Sequence, residues 1–414
     1  MKFKPGLPSA MFFLLLSLLA SGFNPNTFTQ SADEIFTNVN DAIVVVEAYD
    51  FDGNKSSQGS GIILKDKNIL LTNFHIFAGS EKLKIKHKDQ EIKYTEIIGL
   101  NILKDVLVLK LEDGDFPQVK VGSSTEMKVG SKVYAIGSPL GMENTITEGL
   151  VGGFRKFEDK KNDIEYIQIS AALSPGSSGG AVLNSQGELI GISTMGMKEG
   201  ENLNFAIRIE DALNVDLGEY SDKVKLESIN YFYRGKDYFE DTKYEKAIEY
   251  FNKFLAKVPN DAICLNFRGL TYLEMKDFEA ALKDFNASSK ADPTYLAPVI
   301  NKADINYKMQ EYDKAVADYT KIIKNYPDMV GPIYSRGLSY MKLQEWGDAI
   351  KDFTKVLKLD NDYVEAYLNR GISYYYDHNY EEAINNWKKA KNMKPSLAPV
   401  LNEWIDKADY FMSN

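Results

Sequence analysis

The spacing of apolar residues changes once along this chain. From about Asp41 to Ile209 they fall in short β-branched runs such as "AIVVVEAY", "SGIILKD", "NILLTNF", "KLKIKH", "DVLVLKL", "KVYAIGS", "EYIQISAA" and "GELIGIST". The runs are broken by Gly, Asn, Asp or Pro, which is the pattern of strands and turns in a sandwich or barrel. No long segment with a 3.6-residue period interrupts them, so this half is expected to be all-β, with a domain over 31–215.

After a linker at 216–227 the period becomes helical, and it repeats. Ala247, Ala281, Ala315, Ala349 and Ala383 stand 34 residues apart. The same step relates Gly235, Gly269, Gly337 and Gly371, with Ala303 in the third unit, and Phe251, Phe285, Tyr319, Phe353 and Trp387. Pro259, Pro293, Pro327 and Pro395 close four of the five units. This period and residue pattern is the tetratricopeptide signature, one helical hairpin per unit. Small residues let paired helices approach, the aromatic fills the gap, and Pro ends the second helix. Five units are expected over 228–397 and a capping helix over 398–414. At the positions expected to face a groove stand Phe232, Phe239, Leu273, Tyr307, Tyr334, Met341, Leu368 and Tyr375, a surface suited to a protein partner with apolar side chains. The competing reading for each is a core residue. The Arg-Gly pairs at Arg234, Arg268, Arg336 and Arg370 are expected to pack along the hairpins rather than to hold an anion.

Composition and the N-terminus narrow the setting. The net charge of -10 argues against a general grip on nucleic acid or anionic lipid. A single cysteine, Cys264, leaves no internal disulfide, and three scattered histidines show no metal-ligand spacing, so neither a metal nor another cofactor is expected. Lys2 and Lys4 precede the apolar run from Ala10 to Phe23, and Ala20 and Gly22 are spaced as small residues are before a signal-peptidase cut. Residues 1–30 therefore read as a signal peptide with a short linker, giving a periplasmic or secreted protein; uncleaved, the segment would anchor it to a membrane.

The chemistry centres on "SPGSSGGAV", Ser174 to Val182. Glycine clusters form turns readily, so the run needs partners elsewhere before any of its serines reads as a nucleophile. His87 lies in a charged stretch and reads as an exposed strand residue. His75, in "ILLTNFHIFAGS", follows a hydrophobic strand and is either a structural histidine or a base. Asp105 opens the apolar run "DVLVLKL" and is either a turn cap or an acid that orients the histidine. The order His, Asp, Ser is that of chymotrypsin-type barrels.

Together "TNFHIFAG", "KDVLVLKL", "GSPLGMENTITEGLVGG", "SPGSSGGAVLNSQGELIGIST" and "NLNFAIRIE" resemble the trypsin-like proteases of the HtrA/Deg group over about Ala42 to Ile209. The resemblance implies a double β-barrel and a serine endopeptidase. It implies His75 as general base, Asp105 as orienting acid, Ser178 as nucleophile, and the Gly176 and Ser178 amides as oxyanion donors. It also implies a shallow apolar specificity pocket lined by Leu173, Ile192, Ser193, Thr194 and Ala206. Two positions depart from the family. Ser177 stands where Asn is usual, and helical repeats follow the protease where a PDZ module is common. The rival reading is a repeat scaffold carrying a latent or inactive protease-like module.

Overall fold

The computed structural model describes residues 29–413 apart from 89, 115, 118, 139–143, 160–161 and 195–203; the expected signal segment lies outside the described residues. The chain divides into two compact units, with the boundary between Asn230 and Tyr231.

The first unit opens with helix α1 (Ala32–Val39), started by a capping box in which the Ser31 amide donates to Glu34 Oε2 at 2.9 Å. Thirteen strands follow among the described residues. β1 (Ile43–Tyr49), β2 (Lys55–Leu64), β3 (Ile69–Thr72), β4 (Lys82–His87), β5 (Gln90–Ile92), β6 (Tyr94–Asn101) and β7 (Val106–Leu111) form one sheet in the order β5-β4-β1-β2-β3-β7-β6. β8 (Lys132–Gly137), β9 (Thr145–Asp159), β10 (Asn162–Ile169), β11 (Ala181–Asn184), β12 (Leu189–Thr194) and β13 (Asn204–Arg208) close into a barrel in the order β10-β13-β12-β11-β8-β9. The expected double barrel is therefore one closed barrel and one seven-stranded sheet whose end strands, β5 and β6, are not paired with each other. Short helices α2 (Phe74–Phe77) and α3 (Ile209–Leu213) interrupt the β pattern.

Two apolar clusters explain why the strand runs are so continuously hydrophobic. Ile43, Ile62, Leu71 and Val108 of the open sheet meet Tyr134, Ile136, Leu183, Ile192 and Ile207 of the barrel in one core. On the other faces of the same barrel strands, Val133, Ala135, Val182, Ile190 and Ala206 fill the barrel with Val151 and Ile167. Successive residues of a strand point to opposite faces, so a strand buried on both sides loses its polar alternation.

One buried charge marks the open sheet. Burial works against ionisation of Glu47 on β1, but Lys86 at 2.8 Å, the Tyr49 hydroxyl at 2.8 Å and Lys55 at 3.1 Å outweigh it and hold the carboxyl down to about 2. The folded value lies below the unfolded one, so this stabilisation is present above pH 4.5 and is lost as pH falls toward 2. Glu47→Gln is expected to cost on the order of 2 kcal/mol at neutral pH, discounted because both lysines are half-exposed, and to cost little near pH 2. Hydrogen exchange of the β1 and β2 amides at the two pH values measures it.

The second unit is built of paired helices. Helix α4 (Lys223–Glu240), which carries the chain across the boundary after Asn230, starts inside the expected linker, because Asp222 accepts from the Val224 amide at 2.9 Å. It is followed by α5 (Tyr244–Lys257), α6 (Ala262–Glu274), α7 (Phe278–Ala291), α8 (Ala297–Lys308), α9 (Tyr312–Asn325), α10 (Val330–Lys342), α11 (Trp346–Leu359), α12 (Val364–Tyr376), α13 (Tyr380–Met393) and the terminal α14 (Ala398–Ser413). A Cβ added at Gly235, Gly269, Gly337 or Gly371 would lie 2.5–2.8 Å from the aromatic ring sixteen residues on, so these glycines permit the hairpins to close. The repeated arginines do more than pack. Arg268 and Arg336 form bidentate pairs with Asp284 and Asp352, at 2.7–2.8 Å.

Candidate active site

His75 is presented by the single-turn helix α2. Phe74, Ile76 and Phe77 are buried and fix the turn, which leaves the His75 side chain 44% exposed. Asp105 sits in the turn between β6 and β7 with φ +56°, a left-handed conformation that Asp tolerates better than most residues. The Asp105 carbonyl accepts from Asn73 Nδ2 at 2.9 Å and from the Phe74 amide at 3.3 Å, so the turn is tied to the start of α2.

The Asp105 carboxylate accepts three hydrogen bonds. The His75 amide donates to Oδ1 at 2.9 Å; His75 Nδ1 at 2.7 Å and Thr194 Oγ1 at 3.0 Å donate to Oδ2. A carboxylate can only accept, so Nδ1 carries a proton, and in its neutral form the ring presents Nε2 as a lone-pair acceptor. That is the tautomer a general base requires.

Ser178 lies in a tight turn whose backbone is pinned from two sides. Ser177 N donates to Ser174 O at 2.9 Å and Gly180 N to Ser177 O at 3.0 Å. From β12, the Ser193 carbonyl accepts from Gly179 N at 2.9 Å, and Ser193 Oγ donates to Ser177 O at 2.6 Å. From β2, Ser60 N donates to Ser178 O at 2.7 Å and Ser60 Oγ to Gly176 O at 2.8 Å. Gly176 and Gly179 have φ of +94° and +83°. A Cβ at Gly179 would overlap Ser60 O and stand 2.6 Å from Thr72 Oγ1. The Gly176 and Ser178 amides donate no hydrogen bond among the described residues, which leaves two backbone donors at the mouth of the turn.

The three sequence-marked residues thus converge by two connected routes. A Cβ at Gly59 would overlap the side chain of Ile76, next to His75, and lie 2.8 Å from Ser178 O. On the other side, Ser193 holds the Ser178 turn while its neighbour Thr194 holds Asp105. No hydrogen bond joins the His75 ring to the Ser178 hydroxyl among the described residues; such contacts are often loose without substrate. His87 lies on β4, 3.8 Å from Asp41.

Other expectations separate. Leu173 and Ala206 share the apolar cluster inside the barrel, but Ile192 points into the core shared with the open sheet and cannot line the same pocket. Ser193 and Thr194 spend their hydroxyls on the turn and on Asp105, which leaves Leu173 and Ala206 as the expected pocket residues that share one apolar cluster. Positioning residues went unread in the sequence because Ser60 and Thr72 look like ordinary strand residues. Asn230 was also missed. It is 4% exposed on α4, and its Oδ1 accepts from the Gly79 amide, two residues past the histidine helix, at 3.2 Å.

In the repeats, Phe232 and Leu273 are buried core residues. Phe232 packs on Phe251, Phe254 and Phe267, and Leu273 on Phe285 and Ala281. Phe239, Tyr334, Leu368 and Tyr375 are half-buried; Tyr334 accepts from Asn369 Nδ2 at 2.7 Å, and Tyr375 packs on Trp387 and Trp404. Tyr307 and Met341 line a pocket of about 750 Å³ with Trp346, Tyr376, Lys342 and His378.

Comparison with known proteins agrees with this division. Residues 59–192 match the model of the trypsin-like peptidase domain, and 234–295, 301–328 and 337–377 match tetratricopeptide repeat models. A putative serine protease HhoB of Synechocystis is 36% identical over 170 residues, 40% of this chain and 40% of that protein. A probable periplasmic serine endoprotease DegP-like of Hahella chejuensis is 38% identical over 162 residues, 38% of this chain and 34% of that protein. The chain spans two fifths or less of the length of these relatives. A solved HtrA-type protease, AlgW with a tripeptide, is 29% identical and superposes with a TM-score of 0.40, covering 44% of this chain and 62% of its own.

Proposed function

We propose that this chain, a trypsin-like peptidase domain of HtrA/DegP-like kinship joined to tetratricopeptide repeats, is an exported serine endopeptidase whose repeats bring protein substrates or partners to it. In this reading Ser178 Oγ attacks the scissile carbonyl while His75 Nε2 takes its proton and later returns it to the leaving amine. Asp105 fixes the tautomer and stabilises the imidazolium. The Gly176 and Ser178 amides receive the oxyanion, each such donor contributing on the order of 3 kcal/mol to the barrier. Leu173 and Ala206 favour a small apolar residue on the acyl side of the bond.

The observation that carries this reading is the doubly bonded Asp105–His75 pair, which aims a basic nitrogen outward beside a turn with two unspent amides. Export rests on the N-terminal apolar segment and on the periplasmic description of the relatives. The full chain is expected to cleave unfolded casein and to lose that cleavage after fluorophosphonate treatment. Intact casein after prolonged incubation with folded protein would refute the reading.

A further inference from the structure

The third helical repeat departs from the others at three neighbouring positions. Where four of the five units have arginine (Arg234, Arg268, Arg336, Arg370), the third has Lys302. Where the same four have tyrosine four residues on (Tyr238, Tyr272, Tyr340, Tyr374), it has Asn306. Where the others have Glu249, Lys283, Lys351 and Asn385, it has Ala317.

In units two, four and five the arginine bridges its own hairpin and the preceding one. Arg268 reaches Asp284 on its own hairpin and Asn252 on the preceding one, the latter at 2.6 Å. Arg336 does the same with Asp352 and with Thr320 at 3.0 Å, and its guanidinium lies 5.8 Å from the Tyr340 ring centre. In the third unit this bridge is absent, since Lys302 replaces the arginine. Asp318 accepts from Asn306 Nδ2 at 2.9 Å and from Lys321 at 3.1 Å, not from Lys302. Lys302 has no carboxylate partner among the described residues, and Asn286, the counterpart of Asn252, receives no arginine. A pocket of about 490 Å³ opens there, within the range of small-ligand sites.

Its walls state what it would hold. Leu282, Met309 and Ala317 form an apolar side, and Asn306, which stands where the other units carry a tyrosine, lines the same pocket. Lys302, Lys314 and Lys321 face Glu311 and Asp318, but Lys314 and Lys321 are already paired with those two acids, so Lys302 supplies the one uncompensated charge. We infer that the third repeat carries a binding site for an aromatic carboxylate, with the ring beside Asn306 and the carboxylate on Lys302 and Asn286. Such a group comes either from a free small acid or from the C-terminal aromatic residue of a peptide.

The test titrates the full chain with 4-fluorophenylacetate, followed by fluorine NMR, and in parallel with the tripeptide Gly-Gly-Phe and its C-terminal amide. Wild-type protein is expected to bind the acid, while Asn306→Tyr, which restores the ring used by the other repeats, weakens binding at least tenfold with no loss of thermal stability. Lys302→Gln, a smaller perturbation of the fold, is expected to weaken it comparably, and 4-fluorobenzylamine to bind at least tenfold more weakly than the acid. Tighter binding of Gly-Gly-Phe than of its amide or of the free acid would identify a peptide terminus as the source; the reverse order would identify a small molecule. No binding by wild-type protein, equal binding by Asn306→Tyr, or equal binding of the amine would overturn the inference.

Discussion

Ser178→Ala is expected to lower peptidase kcat by a factor of about 10⁴ to 10⁶ and leave the melting temperature nearly unchanged. Removing the nucleophile of a triad leaves only the contribution of binding and oxyanion donors. The stability side follows from how the turn is held. Its hydrogen bonds run through the Ser178 carbonyl, the Gly176 carbonyl, Gly179 N and Ser177 O, and none among the described residues uses the Ser178 hydroxyl. Asp105→Asn is expected to cost about 10⁴ as well, because an amide that donates to Nδ1 would leave the proton on Nε2, facing the serine. The Asn variant keeps the size of the side chain, so circular dichroism should report an intact fold. A residual rate within tenfold of wild type in either variant would mean that another group does the chemistry.

The second large effect is expected at Gly179. Its φ of +83° costs an L-residue on the order of 1 kcal/mol, and a methyl group there would overlap the Ser60 carbonyl and press on Thr72 Oγ1. Both neighbours belong to buried strands, so neither can retreat cheaply. Gly179→Ala should therefore destabilise the first unit by roughly 2–4 kcal/mol and displace Ser178 from its two anchors at once. Peptidase activity and fluorophosphonate labelling should both fall by more than tenfold, while the helical signal of the second unit persists. A variant as stable and as active as wild type would show that the turn is not held in this way.

How much of this was legible in the sequence differs between the two units. The repeats advertise themselves because one spacing runs through five units, and the Gly-to-aromatic contacts seen in the structure are the physical reason for it. The barrel strands were legible as strands, but their pairing was not. Nothing in "QEI" or "YTEIIGLN" tells that β5 and β6 would end an open sheet rather than join. Local sequence also misleads on strand facing. Ile192, Ser193 and Thr194 are consecutive and apolar or small, yet they serve a core, a turn and a carboxylate in succession, since Ser193 faces away from Ile192 and Thr194 ends the strand. His75 and Asp105 were readable by their odd placement, polar residues beside buried strands. Ser60 and Asn230 were not, since their roles depend on partners more than 110 residues away. The start of α4, which the sequence reading assigns to a linker, went unread although its cap is local, Asp222 accepting from the Val224 amide two residues on.

The most direct measurement is the site of covalent modification. The folded full chain, treated with a fluorophosphonate probe and digested, should yield a single adduct on the hydroxyl of Ser178 and none on Ser174 or Ser177, and Asp105→Asn should slow its formation sharply. A folded chain that takes no adduct at Ser178, or takes it at a neighbouring serine, would contradict the account.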